Sequence, residues 1–214
     1  MDQDNIIKIY ARTDNRIQLK MIPGHFVTSQ SHITHYLDLT TMKSRCAEAQ
    51  RIASALAANY EASIPVDTIV CMDGLEVIGA YLAEELTKAG VLSMNAHQTI
   101  YVITPEYTSG SQIILRDNLA PMVRGKHVLI LSASITTGYT VQAAIEAVNY
   151  YGGTVAGLSA IFATTHECLG IPVTSIFDPS SLPDYASFDS RDCPMCKAGQ
   201  PIDALVNSFG YSAL

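Results

Sequence analysis

Short β-branched and aliphatic runs alternate along this chain with stretches of helical periodicity, which leaves few architectures open to it. Thr68 to Met72, Thr99 to Ile103, His127 to Leu131, Val155 to Ala163 and Val173 to Phe177 are apolar enough to be buried on both faces. Strands of that kind belong to parallel sheets covered by helices. Between them, Ala49, Ile52, Ala53, Leu56 and Ala57 recur at three- and four-residue spacing and predict a helix over 45–60. Leu75, Ile78, Leu82 and Leu86 predict a second helix with Gly90 as its stop. Val141, Ala144, Ile145 and Val148 predict a third, ending at Gly152-Gly153. The stretch 106–125 is polar, turn-prone around Thr108 to Ser111, with a short strand expected over Gln112 to Leu115. The order implies an α/β fold with an open, mostly parallel sheet flanked by helices. Ligands of such sheets bind beyond the carboxyl ends of the strands, where strand order reverses. The segments Cys71–Gly74 and Ser132–Thr140 each follow a strand and open a helix, so function is expected there.

Composition removes several classes. Lys and Arg number 13 against 20 Asp and Glu, a net charge of −7, so no nucleic-acid partner is expected. The richest apolar stretch, Val155 to Ala163, is about half the ~20 residues a membrane-crossing helix needs, so no membrane partner is expected. Met1 to Asn5 is acidic where a secretory signal is basic, and the five cysteines are an odd number, which suits reduced thiols. Both point to a cytoplasmic protein.

His127 to Thr140 is the most informative segment. An apolar strand delivers Ser134, Thr136, Thr137, Gly138, Tyr139 and Thr140 to the first turn of a helix. Unpaired backbone N–H groups and threonine hydroxyls can hold an anion at such a turn. An ordinary capped helix, with Ser134 or Thr137 as N-cap, has the same local sequence.

This segment resembles the ribose-phosphate loop of type I phosphoribosyltransferases, an apolar strand followed by two acidic residues, two small or apolar ones and Thr-Thr-Gly-Gly-Ser/Thr. More specifically, the chain is similar to orotate phosphoribosyltransferases. Gly24-His25-Phe26 and Ser29-Gln30-Ser31-His32 are similar to their opening segment, with Tyr36 where they carry a tyrosine. Asp192-Cys193-Pro194-Met195-Cys196-Lys197-Ala198-Gly199-Gln200-Pro201-Ile202 is similar to the Cys-Pro-x-Cys-Lys-x-Gly-x-Pro tail of one bacterial and archaeal branch. The resemblance implies an N-terminal hood segment over 1–40, an α/β core over 41–180 and a Cys-x-x-Cys tail over 181–214. It also implies a homodimer, a phosphorylated ribose ligand and, for the transferase reaction, Mg²⁺.

The departures bear on chemistry. Where the family carries two carboxylates for the ribose hydroxyls, this chain has Ser132 and Ala133, which cannot replace two anions as hard-metal ligands or charge stabilisers. The second glycine of the loop is Tyr139, expected to crowd a close backbone approach. The counterpart of the pyrophosphate loop reads Met72-Asp73-Gly74. Asp73 would repel pyrophosphate unless a cation intervened. Its commoner use is as N-cap of the following helix, with Glu76 completing an approximate capping box. In the counterpart of the mobile catalytic loop, about 106–126, Arg116 is the cation near the middle. A protein that binds a nucleotide monophosphate or phosphoribosyl pyrophosphate with lost or weakened transfer fits these changes. An active orotate-type transferase is the alternative, and different chemistry through Asp73 or Glu76 a third.

Cys193 and Cys196 form half of a zinc-type site, and zinc needs two further ligands. His166 and Cys168 are the other closely spaced pair, while His25, His32 and His35 cluster near the start. A redox pair or two plain thiols are the rival readings. Cys46 and Cys71, in apolar surroundings, are expected to be packing residues.

Overall fold

The structure, a computed structural model, describes residues 5–60, 64–88, 93–96, 99–108 and 112–214. In chain order the elements are β1 (Ile7–Tyr10), β2 (Gln18–Val27), β3 (His32–Asp38), α1 (Thr40–Ser44), α2 (Cys46–Ala57), β4 (Thr68–Cys71), α3 (Glu76–Lys88) and β5 (Tyr101–Ile103). There follow β6 (Glu106–Tyr107), β7 (Ile113–Ile114), β8 (His127–Ile135), α4 (Tyr139–Tyr150), β9 (Thr154–Ala163), β10 (Glu167–Cys168) and β11 (Ile171–Phe177). The chain closes with β12 (Ser187–Phe188), α5 (Pro194–Lys197), β13 (Ala204–Asn207) and β14 (Gly210–Ala213).

The central sheet runs β5-β4-β8-β9-β11, every neighbour parallel, with β10 antiparallel on the β11 edge. Side chains alternate across it with the period of a strand. Leu129, Leu131 and Ala133 of β8 pack with Ile52, Leu56, Ile78 and Leu82 of α2 and α3. Val128 and Ile130 pack on the other face with Val141, Ala144, Ile145 and Val148 of α4. Each such aliphatic side chain, fully buried, contributes about 1.5–3 kcal/mol, so α4 is fixed against β8 chiefly by its apolar stripe. Strand order reverses between β4 and β8, and their carboxyl ends are where the two expected segments lie.

A second sheet, ordered β12-β3-β2-β13-β14 with β1 on β2, lies outside the first. The N-terminal hood segment and the C-terminal tail meet in it, because β13 pairs parallel with β2, Ala204 opposite Phe26. β6 and β7 form a separate hairpin.

Some expectations need correction. β8 continues past Leu131 to Ile135, with Ser132 paired to Ala160 and Ser134 to Phe162, so the connection to α4 is only three residues. Ser and Ala are weak strand formers, and pairing along β9 overrides that preference. Cys46 is exposed at the first position of α2, whereas Cys71 is buried. Gly90 and the turn 109–111 lie outside the described residues.

Candidate functional site

A cavity of about 490 Å³ opens above the ends of β4 and β8. Its floor includes Asp73, Gly74, Ala133, Ser134, Thr136, Thr137 and Thr140, and its walls include the Thr28–Ser31 loop, Lys43 and the 207–210 turn. A neighbouring cavity of the same size shares Thr136 and Thr137 and is lined by Tyr139.

Gly138 is the N-cap of α4 at φ +78°, and no side chain caps the helix. Ser134 and Thr137 are therefore not caps, and the N–H groups of the first turn are left without a side-chain partner. Thr164 fixes this turn from below, its hydroxyl donating to the Thr136 carbonyl at 2.7 Å and its N–H to that of Ile135 at 2.9 Å. Tyr139 is 65% exposed and lines the neighbouring cavity.

Asp73 is not the cap of α3, which begins at Glu76. Its backbone is left-handed, φ +60°, a conformation that Asp tolerates better than most residues. The side chain turns back to β8: Oδ2 accepts from the Ser132 hydroxyl at 3.0 Å and from the Ala133 N–H at 3.2 Å. β4 ends at Cys71, opposite Leu131, so the Asp73 carboxylate serves the β8 donor that a longer β4 would have paired. Glu76 instead accepts from the Thr104 hydroxyl at 2.8 Å.

Lys43 was missed from sequence, since nothing local marks a lysine thirty residues before Asp73 as its partner. Its ammonium donates to the carbonyls of Asp73 at 2.8 Å and Ser208 at 2.7 Å, tying floor to wall. Burial lowers its pKa, against the pull of the Asp73 and Glu76 carboxylates. Tyr107 is pushed up to about 12, first by burial and then by Asp73. Arg116 is paired with Glu106 across the hairpin, with contacts of 2.5–3.0 Å.

The tail cysteines do not meet His166 and Cys168. β10 pairs with β11 at the sheet edge, and Cys168 sits by Gly138. Cys193 and Cys196 face His25 and His32 instead, the four ligand atoms all within 4.8 Å of one another. The sequence spacing of 164 to 171 residues between these partners hides the cluster.

The chain is 27% identical over 203 residues to the orotate phosphoribosyltransferase of Pelotomaculum thermopropionicum, spanning 94% of this chain and 95% of that protein. No family model matches it. The crystal structure of orotate phosphoribosyltransferase from Aeropyrum pernix superposes with a TM-score of 0.52 at 16% identity, over 85% of this chain and 93% of that one. Adenine phosphoribosyltransferase from Trypanosoma brucei, in complex with AMP, pyrophosphate and ribose-5-phosphate, gives 0.51 at 16% identity, over 75% and 78%. With its sheet order and its site at the β4/β8 reversal, the chain has the type I phosphoribosyltransferase fold and is similar, over nearly its whole length, to orotate phosphoribosyltransferases.

Proposed function

We propose that the chain binds a phosphorylated ribose ligand, a nucleotide monophosphate or phosphoribosyl pyrophosphate, and that its transferase step is lost or weak. The phosphate is held by Ser134, Thr136, Thr137, Gly138, Tyr139 and Thr140, through backbone N–H groups and hydroxyls at the uncapped start of α4. The observation that carries the weakened chemistry is the engagement of Asp73 by Ser132 and Ala133. Beside Ser132 and Ala133 this chain offers the Asp73 carboxylate where the family has two, and one of its oxygens already accepts two hydrogen bonds.

That donor set does not fit a resident Mg²⁺. Mg²⁺ is held by carboxylates with waters and substrate phosphates, and here the Asp73 oxygen facing β8 already accepts two hydrogen bonds while Ser132 and Ala133 supply no anion. A second phosphate near the Met72-Asp73-Gly74 turn meets the Asp73 carboxylate, whose charge the nearby Lys43 ammonium offsets in part. Two like charges about 4 Å apart at an effective dielectric near 20 repel by roughly 4 kcal/mol. A monophosphate avoids that term.

An active orotate-type transferase is the second reading, favoured by the Asp73 carboxylate, which reaches the Ala133 N–H from the neighbouring loop. The homodimer is proposed on the same resemblance and is checked by light scattering. Titration calorimetry with a panel of nucleotide 5′-monophosphates and phosphoribosyl pyrophosphate, with and without Mg²⁺, separates the readings. Mg²⁺-independent binding of a monophosphate is expected; tighter, Mg²⁺-dependent binding of phosphoribosyl pyrophosphate would favour the active enzyme.

A further inference from the structure

We propose that His25, His32, Cys193 and Cys196 hold one structural zinc ion that fastens the hood hairpin to the C-terminal tail. Two nitrogens and two sulfurs form the donor set, which is a common one for closed, tetrahedral zinc. Bond lengths of about 2.0–2.1 Å to nitrogen and 2.3 Å to sulfur give a tetrahedron with edges of about 3.3–3.8 Å. Here Cys193 Sγ and Cys196 Sγ each lie 3.6 Å from His25 Nε2, and Cys196 Sγ lies 3.3 Å from His32 Nδ1. The two imidazole nitrogens, 2.9 Å apart, need to open by only a few tenths of an ångström.

The surroundings prepare the ligands. His25 Nδ1 lies 3.1 Å from the Gln200 carbonyl and 3.2 Å from that of Pro201. A carbonyl only accepts, so Nδ1 carries the proton and Nε2 presents a lone pair to the cluster, the usual orientation of a zinc histidine. The His25 N–H donates to Asp203 at 2.7 Å, fixing the backbone beside it. His25 lies where the β2/β3 register shifts, between Pro23 and Phe26, and such irregularities re-aim side chains. The one-turn helix α5 starts on Pro194 and brings Cys193 and Cys196 to one side. His25 and Cys193 are fully buried and His32 nearly so. Zn²⁺ with two thiolates and two neutral imidazoles is a neutral unit, and a neutral unit is the form such burial favours.

The placement gives the ion a task. Its two histidines bracket the Thr28–Ser31 loop that walls the cavity. Its two cysteines precede β13, whose parallel pairing with β2 leads to the 207–210 turn on the opposite wall. One ion thus fixes two walls that the chain supplies from its two ends. The proposal is independent of which ligand the cavity takes.

The test is metal analysis of full-length protein made without a histidine tag. One zinc per chain is expected, kept in Cys46→Ser and Cys168→Ser and lost by at least tenfold in Cys196→Ser, which alters the most exposed ligand. Should Cys196→Ser fail to fold, cobalt exchange into the unaltered protein decides. Tetrahedral visible bands with thiolate charge transfer support the site. Removing the ion by chelation is expected to speed hydrogen exchange over 24–32 and 199–207 while leaving α4 unchanged. Reduced, folded protein from zinc-supplemented growth that holds less than a tenth of an equivalent and takes up no cobalt would overturn the proposal. So would a native Cys193–Cys196 disulfide without metal.

Discussion

The Asp73 carboxylate accepts the Ser132 hydroxyl at 3.0 Å, joining the turn after β4 to β8 at the point where sheet order reverses. One negative charge, delivered from the loop after β4, therefore stands beside Ser132 and Ala133 of β8. It satisfies the Ala133 N–H and, on the proposed function, bears on which anions the cavity accepts.

Asp73→Asn removes the charge while keeping a side chain that tolerates a left-handed backbone. Affinity for phosphoribosyl pyrophosphate without Mg²⁺ is expected to rise at least about tenfold, roughly 1.4 kcal/mol, with monophosphate affinity changing less. Calorimetry on both ligands reads the difference. Equal gains for both would mean that Asp73 does not discriminate between them.

Gly138→Ala forces an L side chain into φ +78°, although the added methyl would meet only Cys168 Sγ at 3.7 Å. The cost is conformational, about 1–2 kcal/mol, and monophosphate affinity is expected to fall with stability. Denaturant melts and titration of the same preparation check this. Unchanged stability would place the strain elsewhere.

Lys43→Met leaves the carbonyls of Asp73 and Ser208 without their donor. Unfolding free energy is expected to drop by roughly 1–3 kcal/mol. Hydrogen exchange is expected to quicken at the 207–210 turn. A melt identical to that of the unaltered protein would show that the floor and wall hold without the lysine.

Much of the central sheet was legible because its signals are local. The continuous apolar run of β8 and the four-residue apolar stripe of α4 are each readable within a dozen residues. The hood sheet was not, since β13 finds β2 only after the whole core has been laid down between them. His25 and Cys193 share a cluster for the same reason, and no spacing rule reaches that far. Asp73 followed a different logic. Its sequence position fits a cap, but the left-handed turn starts α3 later and turns the carboxylate toward β8.

His35 gives the pH dependence. Burial lowers its pKa below the ordinary 6.5, with the Asp184 carboxylate opposing. The folded protein thus favours the neutral imidazole, and the unfolded chain binds the proton more readily. Stability from this group is present above about pH 6.5 and is lost as pH falls through the lower folded value. His35→Gln is expected to flatten the stability profile on that acid side. An unaltered slope in urea melts between pH 7 and 5 would contradict it.

The most direct measurement is the rate of nucleotide formation from orotate and phosphoribosyl pyrophosphate with saturating Mg²⁺. With Ser132 and Ala133 in place of two anions, turnover is expected below about 10⁻² s⁻¹, against the roughly 1–10³ s⁻¹ usual for enzymes. Turnover within that usual range by the unaltered protein would contradict the loss of transfer.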